Sequence, residues 1–197
     1  MKKVTCFYVA FLCLFLVPCV SAGLLLSDPC AIPAWTGTSS YDSGGVLIAD
    51  VDYAVFAPGD YGGVDPSGGT EYVYAYQVFN NSPEGAVSMF SVGLIDDSGA
   101  TGNTIDPAYG GDVAPTITYI DYGDNSFKIA LFTPSLPAGQ SAEVGLFTSP
   151  NPPVMVVSSV INGGRSAQGT APTPVPEPAT ISLLSLAGLA LVRKRRA

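Results

Sequence analysis

Between about Ser27 and Ser166 the chain carries no long stretch of helical apolar periodicity, but it carries many short runs that alternate apolar and polar with period two. That alternation is the signature of half-buried β-strands. The clearest run is Glu71–Asn80: Tyr72, Tyr74, Tyr76 and Val78 share one face, and Val73, Ala75, Gln77 and Phe79 the other. Ala86–Ile95 follows, with Phe90, Val92 and Leu94 on one face. The intervening Asn80-Asn81-Ser82-Pro83-Glu84-Gly85 has loop composition, so the two runs read as an antiparallel pair. Val46–Phe56, Thr116–Tyr122, Phe127–Phe132, Ala142–Phe147 and Val154–Ile161 complete the set. About seven strands at regular spacing predict an all-β domain, a single antiparallel β-sandwich of Ig-like kind. Leu and Met are scarce there, so aromatic side chains are expected to supply most of the buried area. Trp35 is expected just before the first strand, as a core or capping aromatic.

Both ends of the chain differ from this middle. Met1-Lys2-Lys3 is followed by an apolar run to Val17, then Pro18, then small residues at Val20-Ser21-Ala22. A positive start, a short apolar core and a small-residue cleavage site make a secretory signal peptide over residues 1–22, cut by signal peptidase after Ala22. A lipoprotein signal fits less well, because Pro18 precedes Cys19 where a small residue is required. Removal of the signal takes Cys6, Cys13 and Cys19 with it and leaves Cys30 single, either a buried apolar group or a free thiol.

Residues 23–164 then form the ectodomain, and residues 165–174, rich in Ser, Ala, Gly, Thr and Pro, read as an extended linker. Residues 175–197 form the tail. There Pro176-Glu177-Pro178 precedes an uncharged apolar stretch, Ala179–Val192, which is closed by Arg193, Lys194, Arg195 and Arg196. About 14 helical residues span roughly 21 Å, short of the ~30 Å of a bilayer core. The basic cluster would stop transfer and stay cytoplasmic, with the domain facing outward.

These three elements, in this order at the C-terminus, resemble the PEP-CTERM sorting domain of bacterial envelope proteins. The resemblance covers the last 23 or so residues. It implies recognition of Pro176, Glu177 and Pro178 by exosortase, a transpeptidase-like membrane protease, with Ala179–Val192 as a short transmembrane helix. A plain membrane anchor is the alternative, but Pro-Glu-Pro contributes nothing to anchoring.

Charge narrows the function. All sixteen carboxylates lie between Lys3 and Arg193, with only Lys128 and Arg165 of the eight basic residues among them. So acidic a domain repels nucleic acid and anionic lipid. The chain has no histidine, which removes Ser-His-Asp and Cys-His catalysis and imidazole metal sites. No nucleophile elbow or phosphate loop is present, and Gly62-Gly63 and Gly68-Gly69 read as turns. Carboxylate pairs remain: Asp50 with Asp52, Asp96-Asp97, and Asp121 with Asp124. Pairs of this kind arise by chance in any acidic domain. Asp60–Asp65 and Asp121–Asn125 place oxygen ligands in loops without matching a calcium-binding loop. No catalytic residue, cofactor or metal site is therefore assigned.

The expected protein is non-enzymatic: exported, sorted through its tail, membrane-anchored by the C-terminal helix and then released to the cell surface or extracellular matrix of a biofilm, in contact there with extracellular polysaccharide. The alternative is a surface module binding glycan or calcium, with Tyr72, Tyr74 and Tyr76 exposed as a stacking platform instead of packed inside. A carboxylate-dependent hydrolase is the remote third.

Overall fold

The computed structural model describes residues 25–94, 99–121 and 126–175. The signal peptide, the Pro-Glu-Pro motif, the apolar run Ala179–Val192 and the basic cluster lie outside the described residues. Among the described residues, no helix is long and apolar enough to cross a membrane.

The described chain is all-β. Its ten strands are β1 (Ala31–Ser43), β2 (Leu47–Phe56), β3 (Tyr72–Asn80), β4 (Val87–Leu94), β5 (Thr101–Asp106), β6 (Pro115–Asp121), β7 (Ser126–Leu136), β8 (Val144–Ser149), β9 (Pro153–Asn162) and β10 (Arg165–Pro174). They form two five-stranded antiparallel sheets. Sheet A has the order β1-β2-β3-β8-β5, and sheet B the order β10-β9-β4-β7-β6.

This corrects the expectation of about seven Ig-like strands. The three that sequence missed, β1, β5 and β10, are all edge strands. An edge strand buries less and is built to discourage further pairing, so it carries little apolar alternation. β1 is rich in Ser and Thr, β5 reads Thr-Gly-Asn-Thr-Ile-Asp, and β10 is made of small residues. The expected pairing of the Tyr-rich run with the one after it also fails. β3 pairs with β2 and β8, whereas β4 pairs with β7 and β9 in the other sheet. Residues 81–86 carry the chain across the sandwich, because both strands offer an apolar face that the opposite sheet can bury. At the β1–β2 hairpin, Gly44 (φ +65°) and Gly45 (φ +75°) hold left-handed backbone that other residues rarely adopt. Asp42 caps that turn by accepting the Gly45 N–H at 2.7 Å.

The core is aromatic, as composition implied. Tyr41, Tyr74, Tyr76, Phe90, Phe132 and Phe147 meet between the sheets with Val51, Val55, Val92 and Leu136. Tyr74 stacks on Phe147 with ring centroids 5.0 Å apart, and Phe90 lies 5.6 Å from Tyr76. Such pairs contribute ~0.5–1.5 kcal/mol each beyond the area they bury. The other face of sheet A is partly covered as well. Ala54, Phe56, Val73, Ala75, Val144 and Leu146 pack there under Leu25, Tyr61 and Tyr109. For that reason β3 is buried on both faces, although its alternation alone suggested a half-exposed strand.

Candidate functional site

Residues 165–174, read from composition as a linker, are strand β10. It pairs with β9 along its whole length, from Arg165↔Asn162 to Pro174↔Pro153. Ala167, Ala171 and Thr173 point inward and are buried, while Arg165, Gln168 and Thr170 are not. The inward side must be small because large tyrosines lie beneath it. A Cβ on Gly169 would come within 2.7 Å of the Tyr41 ring.

Polar contacts then lock the strand. The buried Tyr76 hydroxyl donates to the Pro172 carbonyl. Thr173 Oγ1 donates to Gly93 O at 2.9 Å, and Ser39 Oγ of β1 to Thr170 O at 2.5 Å. The Val175 N–H donates to Pro152 O at 3.1 Å. One shoulder of the sandwich is secured to the same place, with Tyr74 OH donating to Asn151 O at 2.7 Å. The fold therefore holds the chain up to the residue before Pro176. Sequence reasoning missed this strand, yet a signal existed: Ala167, Gly169, Ala171 and Thr173 recur at period two. Small residues carry that period without the hydrophobicity that ordinarily reveals it.

The other candidates are used internally. Tyr74 and Tyr76 face the sheet interior, and Tyr72 is half-buried against the same core. Burial pushes the Tyr41 phenol up to about 12, with the Ser158 hydrogen bond opposing the rise. Burial likewise holds Tyr74 and Tyr76 well above the usual tyrosine range. Trp35 lies within β1, half-buried against the core, not ahead of the first strand.

Asp50 and Asp52 lie on the outer side of β2, where Ser40 and Thr38 donate to them, each at 2.6 Å, and Asn81 Nδ2 donates to Asp50 at 2.8 Å. Burial raises the Asp52 carboxyl; the Thr38 hydroxyl opposes that rise and Asp50 adds to it. In the Asp60–Asp65 loop, Asp65 accepts the N–H groups of Ser67 and Gly69 at 2.7 and 3.1 Å and so shapes a turn. Asp121 ends β6, while Asp96, Asp97 and Asp124 lie outside the described residues. Among the described residues, no group of three or more His, Cys, Asp or Glu side chains could hold a metal ion. An apolar cavity of about 30 Å³ lies between the sheets, lined by Tyr76, Phe90, Ile117 and Phe147.

Two further features were not anticipated. A polar chain ties the cover over sheet A together: Tyr61 OH donates to Asp106 at 2.5 Å, Asp106 accepts the Ala108 N–H at 2.8 Å, and Tyr109 OH donates to Asp28 at 2.7 Å. These partners are 45 and 81 residues apart, which no local pattern marks. Cys30, expected as a buried apolar group or a free thiol, is disulfide-bonded. Cys6, Cys13 and Cys19 lie outside the described residues, and a chain cut after Ala22 keeps Cys30 as its single cysteine.

The class that emerges is a two-layer antiparallel sandwich whose last strand runs straight into the C-terminal segment. That segment, residues 174–196, matches the PEP-CTERM protein-sorting motif. The chain thus carries the sorting signal of an exported, envelope-associated protein that is processed by an exosortase. No curated protein and no solved structure matches the chain.

Proposed function

We propose that the protein is a non-catalytic structural or adhesive component of the cell envelope or extracellular matrix, which exosortase detaches from its C-terminal tail. The observation that carries this reading is the direct junction of β10 with the sorting motif: cleavage at Pro176–Pro178 would leave the sandwich whole. The tyrosines that could have bound sugar serve the core, and Asp50 and Asp52 accept from hydroxyl and amide donors. These uses support a role in which the domain acts through its surface and its stability.

Intact mass spectrometry of the native protein from membrane and extracellular fractions tests the reading. The expected extracellular species begins near Gly23 and lacks Ala179–Ala197. A chain found only in membranes, with Arg193–Arg196 still attached, would instead make the tail a plain anchor.

A further inference from the structure

The described fold extends to Val175, whose N–H donates to Pro152 O at 3.1 Å. Two extended residues reach at most about 7 Å. A partner that grips Glu177 must therefore come within that distance of a backbone amide that belongs to the sandwich. No spacer separates the sorting motif from the domain, so whatever holds the motif also touches the domain beside it.

The surface at that point has its own character. In β9, Met155 and Val157 share the outward face and are 39 and 60 % exposed. Their register sets Met155 opposite Pro172 and Val157 opposite Thr170, on the strand that leads to Val175. Pro150 and Pro152 on the adjoining loop are exposed too. No charged residue occurs from Ser149 to Gly164, in a chain of net charge -8. An uncharged apolar strip on an otherwise acidic domain has the composition of the core of an interface.

We infer that Pro150–Val157 is the surface on which the exosortase seats while it holds Pro176–Pro178. The inference rests on the sorting reading above. A folded domain with no slack admits the protease only if the two surfaces fit, and an apolar strip without carboxylates fits a membrane-embedded enzyme. Tail removal would accordingly be coupled to the folded state of the sandwich.

The test uses the full chain in cells that contain the enzyme. A photo-crosslinking phenylalanine analogue at Val157 is expected to give an adduct with the exosortase that disappears when the enzyme is deleted. The same probe at the exposed Thr116, on the opposite edge of sheet B, is expected to give none. The double change Met155→Glu and Val157→Glu is expected to slow tail removal at least tenfold in a pulse-chase read by mass. A ten-residue Gly-Ser spacer between Val175 and Pro176 should restore the rate by removing the forced contact. An adduct only with lipid or with a second copy overturns the proposal, as does an unchanged rate in the double variant. Should the double variant misfold, the crosslink decides alone. If the wild-type chain itself keeps its tail, the sorting reading fails; if the wild type is cut and the probe finds no enzyme, the docking surface alone fails.

Discussion

The residue that most sharply reports how this sandwich closes is Gly169. It sits on an edge strand in a segment that reads as flexible, yet a Cβ there would meet Tyr41 Cε1 at 2.7 Å and Cζ at 2.9 Å. Tyr41 has no room to yield. It is fully buried, its hydroxyl is bonded to Ser158 Oγ at 2.5 Å, and its ring meets Phe90 edge-on at 6.3 Å. Gly169→Val is therefore expected to lower stability by about 1–3 kcal/mol, the range for forcing carbon atoms into a filled core. Urea denaturation followed by tyrosine fluorescence would read the loss as a lower midpoint. A midpoint equal to wild type would mean that β10 is not seated on Tyr41.

At the scale of elements, β10 distinguishes a strand from a linker. A linker of this composition would exchange its amide hydrogens at the rate of an unstructured chain. A strand paired with β9 over ten residue pairs, and tied to Tyr76, Gly93 and Ser39, opens only by local or global unfolding. Hydrogen exchange should therefore find the β10 amides that donate to β9 protected by more than about 100-fold, an opening free energy of ~2.7 kcal/mol or more. Protection as low as that of unstructured peptide would return residues 165–174 to a linker.

The same element shows why sequence saw only part of the fold. The strands it marked correctly, such as β2, β3 and β4, bury large apolar side chains, and apolar alternation is what sequence makes visible. β1, β5 and β10 lie at sheet edges, where hydroxyl, amide and small side chains suffice. The pairing of β3 with β2 and β8 was hidden for a different reason. Two neighbouring alternating strands look alike whether they share a sheet or face each other across the core.

For the whole molecule, the aromatic interior sets the response to alkali. Burial raises the phenols of Tyr41, Tyr74 and Tyr76; at Tyr61 burial acts first and the hydrogen bond to Asp106 adds to it. In the unfolded chain these groups ionise near 10, so above that pH the unfolded state gives up protons that the folded state keeps. Their contribution is whole below pH 10 and is lost as pH rises through the folded values. Tyr41, raised to about 12, alone accounts for a loss on the order of 2–3 kcal/mol by pH 12. Absorbance at 295 nm should show the exposed tyrosines titrating reversibly and the buried ones ionising late, in step with loss of near-ultraviolet circular dichroism. A single smooth titration near pH 10, with the fold intact, would contradict the buried core.

Sequence by itself determined the all-β class, the aromatic character of the core and the sorting motif at residues 174–196. Each is written in contiguous residues: period-two alternation, composition, and three elements in fixed order. The tertiary structure alone decided which strands share a sheet, that Tyr61 meets Asp106 and Tyr109 meets Asp28, and that β10 belongs to the domain. Those facts depend on residues far apart in the chain that come within hydrogen-bond or van der Waals reach only once two sheets have packed. The most consequential of them, the absence of slack before Pro176, arises because Ala167, Gly169 and Ala171 fit over Tyr41 and Tyr76. Their small size carries no signal until the tyrosines beneath them are in place.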